Sequence, residues 1–259
     1  MATKAQEIRN DLSDELLTLA EILEANLPGF DGGSLKNAAN ECRDPTEYDK
    51  PSWGYSVDLL QFFEYEPSSN LRPEIARAGD LYLEVDLRIA GRCNSLVAGT
   101  EDPLHELELN LLIWGENEEK DLLSAWHLDR HISKEGDEMC TDHPLYHFQF
   151  GGKKMREQIQ EYGELLVPEA PRIAFPPMDA VLAVNFVLAN FFGDQWKSLV
   201  DLEEGDDEYR KLVADAQNRL WRPYAQALST AWTPGPFSSH DWPPGSIWPQ
   251  LIDDYTGID

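Results

Sequence analysis

The sequence predicts an α+β domain: a four-stranded antiparallel meander sheet with helices packed on one face. Three observations predict it. Apolar residues recur every three or four positions near both ends of the chain. They alternate with polar residues between 80 and 151, and turn-forming stretches separate the alternating runs. Helices that flank a block of strands are the pattern of an α+β fold rather than of a wound parallel sheet. With 259 residues, 42% hydrophobic, the chain can fill one sizeable core. It reads as a single domain (1–259) with an N-terminal helical part (1–79), a sheet (80–151), C-terminal helices (152–231) and a Pro- and aromatic-rich tail (232–259).

Each element has its own signal. Over 5–27, Ile8, Leu12, Leu16, Leu19, Leu23 and Leu27 keep helical spacing until Pro28-Gly29 stops them. Residues 28–52 read as loop with a short helix after Ser34. Over 54–65, Val57, Leu60 and Phe63 fit a helix while the aromatic content fits a strand, and both stay open. Four strands follow: LYLEVDLRIA (81–90), LHELELNLLIW (104–114), AWHLDRHI (125–132) and LYHFQF (145–150). Met155, Ile159, Tyr162 and Leu166 predict a helix over 154–166, ended by Pro168. Pro176-Pro177 suit the first turn of a buried helix, MDAVLAVNFVLANFF. A last helix spans 207–229, kinked at Pro223. The tail holds too many prolines for regular structure. It wraps its own domain, or it offers Trp242 and Trp248 to a partner's groove.

Alternation assigns the faces. Leu83, Val85, Leu87 and Ile89, then Leu107, Leu109, Leu111 and Ile113, share an apolar side with Trp126, Leu128, Ile132, Tyr146, Phe148 and Phe150. Arg130 falls on that side and calls for an edge position or an acidic partner. The other side carries Glu84, Asp86, Arg88, Glu106, Glu108, Asn110, His127, Asp129, His131, His147 and Gln149. A hairpin between the last two strands brings His127, Asp129, His131 and His147 within ~5–8 Å of one another. Imidazoles and a carboxylate are ligands for one divalent ion, zinc, manganese or iron. Glu84, Asp86 or Glu108 then stands as general base. The same residues also fit an ordinary solvated sheet face. HExxH, GxSxG and phosphate-loop spacings are absent. Gly151-Gly152-Lys153-Lys154 reads as a strand-to-helix turn, and acidic neighbours disfavour a reactive Cys140 beside His143. Arg172 binds an anion or pairs with a carboxylate.

Composition narrows the partners. The formal charge is −27, which repels nucleic acid and anionic membrane and suits a basic protein partner, solubility or a high-salt setting. No apolar run of ~18 residues predicts a membrane span. The N-terminus lacks the apolar run of a signal peptide. Three cysteines without CxxC predict a reducing cytoplasm rather than a disulfide framework.

One local pattern adds a resemblance. His143-Pro144-x-x-His147, Pro171-Arg172-Ile173, Pro176-Pro177 and Asn190-Phe191-Phe192 resemble a bacterial family of unknown function marked by an HPxxH … RIP … P … FY arrangement. It covers residues 143–192, and Ala174 stands where that pattern has proline. The resemblance implies a bacterial cytoplasmic protein in an anti-phage or toxin-related setting. The layout of a helix, a meander and trailing helices is also similar to ubiquitin-conjugating folds, though no cysteine follows the fourth strand as an active enzyme of that kind requires. Two functions remain open: an acidic accessory or inhibitory subunit that binds another protein, and a metal-dependent hydrolase using the His/Asp cluster.

Overall fold

The computed structural model describes residues 3–44, 51–65, 81–99, 101–116, 121–131, 143–151, 172–232, 242 and 244–249. The protein is α+β with an antiparallel sheet, and among the described residues the sheet has six strands rather than four. They are β1 (Ser52–Tyr65), β2 (Leu81–Arg92), β3 (Leu104–Glu116), β4 (Asp121–Arg130), β5 (Tyr146–Phe150) and β6 (Ile173–Ala174). Each pairs with the next, so spatial order follows chain order. The expected meander is present as β2 to β5, and the additions lie at the two edges.

β1 settles the ambiguous stretch over 54–65 as strand. Val57 pairs with Leu87 and Leu60 with Val85, three steps on β1 against two on β2. That extra residue is a bulge. Leu59 sits in it at φ 53° and its N–H donates to Asp86 Oδ1 at 2.9 Å. The bulge reverses the phase of the strand. Trp53, Tyr55 and Val57 point into the core before it, and Leu60 and Phe62 after it. The Val57–Leu60 step therefore imitates a helical repeat.

Helix α1 (Lys4–Asn26) begins at Thr3, whose hydroxyl accepts from Gln6 N–H. It buries Leu12, Leu16, Leu19 and Leu23, and Gly29 at φ 80° turns the chain beyond it. The short helix expected after Ser34 is α2 (Gly33–Arg43). A Cβ on Gly32 would stand 2.7 Å from Glu24 Oε1 and 2.9 Å from Ala20 Cβ, so glycine allows α2 to lie close against α1. α3 (Cys93–Ala98) follows β2. The buried helix is α4 (Ala180–Phe191). Its cap is Asp179, which accepts from Leu182 N–H, and not the Pro176-Pro177 pair expected in its first turn. α4 crosses the sheet from Phe62, against Phe192, to Phe148, against Phe186. α5 (Gly193–Val200) and α6 (Asp207–Ala216) come next.

The kink expected at Pro223 is resolved by a π-helical segment. Gln217–Trp221 separates α6 from α7 (Arg222–Ser229), and Arg222 N–H bonds the carbonyl of Gln217. The wider turn absorbs the donor that Pro223 lacks. It also aims Arg219 inward, onto Glu15 Oε1 and Oε2 at 2.9 and 2.8 Å and onto Asp179 Oδ2 at 2.7 Å. One buried cation thus ties α1 to the start of α4.

Inward apolar side chains of β1 to β5, among them Trp53, Leu60, Val85, Leu109, Leu128 and Phe148, join the helices in one core. Arg130, on the apolar side, finds its acid: Nε donates to Asp102 Oδ2 at 3.0 Å, and Tyr146 Oη donates to Asp102 Oδ1. The tail was expected to lack regular structure, yet Pro244–Ile247 forms one helical turn, α8. Trp242 is buried edge-on to Tyr146 and Tyr224, and Leu145 N–H bonds the Ile247 carbonyl. No described helix is long and apolar enough to cross a membrane. The helix expected over 154–166, and Ile132, Cys140 and Pro171, lie outside the described residues.

Candidate metal centre on the polar face

The register brings three of the four expected ligands together. β4 pairs with β5 so that Asp129 faces His147 and His127 faces Gln149. β3 pairs with β4 so that Glu108 faces Asp129 and Asn110 faces His127. His127 and Asp129 lie two apart on one strand and so share a face. One ligand atom each from His127, Asp129 and His147 lies within 4.8 Å of the others, and this is the one such group found among the described residues. His127 Nε2 stands 3.5 Å from Asp129 Oδ2.

The surroundings are unusual for a solvated face. His147 is 6% exposed, and the side chain of His127 15%. Asp129 Oδ1 and His147 Nδ1 are buried and have no hydrogen-bond partner among the described residues. A buried polar atom left without a partner costs about 1–3 kcal/mol. Burial pushes the Asp129 carboxyl up to about 6, with Glu108 adding and His127 opposing. Burial pushes the His147 imidazole down to about 4, helped by the neighbouring His127 and Arg172 and opposed by the Pro144 carbonyl. At neutral pH both groups therefore stand in the form that binds a cation, carboxylate and neutral ring.

His131, the fourth expected ligand, falls outside this group. Its ring meets His143 edge to face, with centres 5.5 Å apart. His143 in turn stands 6.3 Å from His147, and His147 stands 6.2 Å from His127. Four imidazoles form a row. His143 lies outside the alternating strand residues that define the expected ligand set, and its position four residues before His147 is the signal that points to it.

The expected bases separate. Glu108 is across the ladder from Asp129 and accepts from Asn110 Nδ2 at 3.1 Å. Asp86 is drawn to the β1 bulge, and Glu84, nearly buried, meets Gln61 Nε2 at 3.5 Å. β2 lies two strands from β4, about 10 Å away. Only Glu108 stays beside the cluster. Arg172 precedes β6, and its charge is felt at His147. Trp242 belongs to the core, and Trp248 follows α8, half-buried.

No protein-family model, no curated protein and no solved structure matches the chain.

Proposed function

We propose that the protein binds one divalent transition-metal ion at His127, Asp129 and His147 and acts as a metal-dependent hydrolase. The observation that carries this reading is that His127, Asp129 and His147 can each offer a ligand atom within 4.8 Å of the others, while Asp129 Oδ1 and His147 Nδ1 lie buried without a partner among the described residues. Two imidazoles and one carboxylate suit zinc, manganese or iron and leave coordination positions open to water and substrate. A bound ion lowers the pKa of its water toward neutrality. Glu108 is then the base that takes the proton, and Arg172 supplies a positive charge for an anionic group of the substrate. The test uses tag-free protein. Elemental analysis should find near-stoichiometric metal that His127→Ala loses. Hydrolysis across an ester and phosphoester panel should need that metal and should fall in Glu108→Gln while the metal is retained. Absence of metal in the wild type, with no thermal shift on adding any, sinks the proposal.

The charge of −27 favours a second reading, an acidic accessory or inhibitory subunit for a basic protein partner, and the HPxxH resemblance implies a bacterial defence or toxin-related setting for it. A salt-sensitive complex recovered from the native host supports it, and a protein that purifies alone argues against it.

A further inference from the structure

We infer that His131 and His143 hold a second divalent ion beside the first, so that the polar face of the sheet carries a two-ion centre. This rests on the reading of His127, Asp129 and His147 as the first site. The His131 and His143 rings lie 5.5 Å apart with planes 89° apart. Two imidazoles that share one zinc-sized ion at a tetrahedral angle place their ring centres roughly 5 Å apart, so a small shift brings both onto one ion. The backbone holds His131 in place, because its N–H donates to the Leu145 carbonyl and extends the β4–β5 ladder by one rung. His143 is half-buried and lies against His147, whose ring centre is 6.3 Å away. The two positions are therefore neighbours, joined by the His143–His147 contact.

Ligand chemistry sets the ion. Imidazole pairs favour zinc, copper or nickel over magnesium or calcium. Two protein ligands hold an ion more weakly than three, so the second position fills last and empties first. Two adjacent ions divide the labour of hydrolysis, one holding the attacking water and the other a substrate oxygen. They also reverse the local sign of charge beside Asp129 and Glu108. An anionic oxygen ester, such as a phosphoester, can then approach a protein whose net charge is −27.

The experiment is a zinc titration of chelator-stripped, tag-free, full-length protein, read by calorimetry and by elemental analysis after dialysis. Two ions per chain are expected, the second weaker. His131→Ala/His143→Ala should keep only the first, and copper-loaded wild type should show dipolar coupling in its electron paramagnetic resonance spectrum. One ion that His127→Ala removes and the double variant leaves untouched overturns this inference and spares the first site. One ion lost in either variant means a single shared centre and overturns it as well. No ion in the wild type overturns both. Circular dichroism checks folding, and the His→Gln pair replaces the alanine pair if the latter unfolds.

Discussion

Asp129 on β4 and His147 on β5 face each other across one rung of an antiparallel ladder, and each holds a buried side-chain polar atom with no hydrogen-bond partner among the described residues. Burial moves the two groups in opposite directions, the carboxyl up to about 6 and the imidazole down to about 4.

The metal-free protein should show the two shifts as opposed slopes. Asp129 keeps its proton to higher pH folded than unfolded, so its contribution falls as pH climbs from about 4 to about 6. His147 loses its proton to lower pH folded than unfolded, so its contribution rises from about pH 4 to its unfolded value of 6.5. The wild type should vary little over that window. Asp129→Asn should gain stability from pH 4 to 6.5, and His147→Gln should lose it from pH 4 to 6. At pH 7, Asp129→Asn should exceed the wild type by about 1 kcal/mol, discounted because the carboxylate is partly exposed. Urea unfolding in chelator measures all three, and parallel pH profiles would refute the argument.

Metal affinity should follow Asp129. Above pH 7 the Asp129 carboxyl and the His147 ring are both deprotonated, and neither should change the affinity further. Below about 6 it should drop roughly tenfold per pH unit as the proton competes for the carboxylate. Competition with a chromophoric chelator at pH 5, 6 and 7.5 gives the curve. Constant affinity down to pH 5 would remove Asp129 from the ligand set.

Arg219→Met should be severe. It strands the buried Asp179 and the half-buried Glu15 without their cation, a change that costs about 3–5 kcal/mol. Burial already raises the Glu15 carboxyl, so the damage should shrink as pH falls and protonation relieves it. Arg219→Lys should rescue poorly, because an ammonium cannot span both Glu15 oxygens. A loss under about 1 kcal/mol at pH 7 would mean that the network relaxes around the vacancy.

Trp242→Ala should remove about 3 kcal/mol by opening a cavity beside Tyr146 and Tyr224. Trp242→Phe should cost much less, since Trp242 Nε1 is buried without a partner among the described residues and phenylalanine has no such donor. Equal melting temperatures for the two variants would contradict that.

The period-two run from Leu81 to Phe150 showed the meander and the correct faces, because alternation records burial directly. It puts Arg130 on the apolar side, at an edge or beside an acid, and Asp102 supplies the acid from the loop before β3. β1 was hidden by its own bulge, which turns Val57 and Leu60 into an apparent helical pair. β6 is two residues long, too short for any period. At the site, strand alternation collected the histidines, but register chose among them. Only pairing shows that Asp129 meets His147 while His131 turns to His143. The Glu15–Arg219–Asp179 network joins residues up to 204 positions apart, and no local pattern announces it.

The bulge at Leu59 and the brevity of β6 bear on how the molecule keeps company with copies of itself. A sheet ends in unpaired amides and carbonyls that invite another strand. Here one end is interrupted by a residue in the left-handed region whose amide is taken by Asp86, and the other offers only Ile173 and Ala174. Neither margin is a long, regular template. Among the described residues the sheet thus limits its own growth at both sides, and straightening the first margin by deleting Leu59 should promote edge-to-edge association of copies.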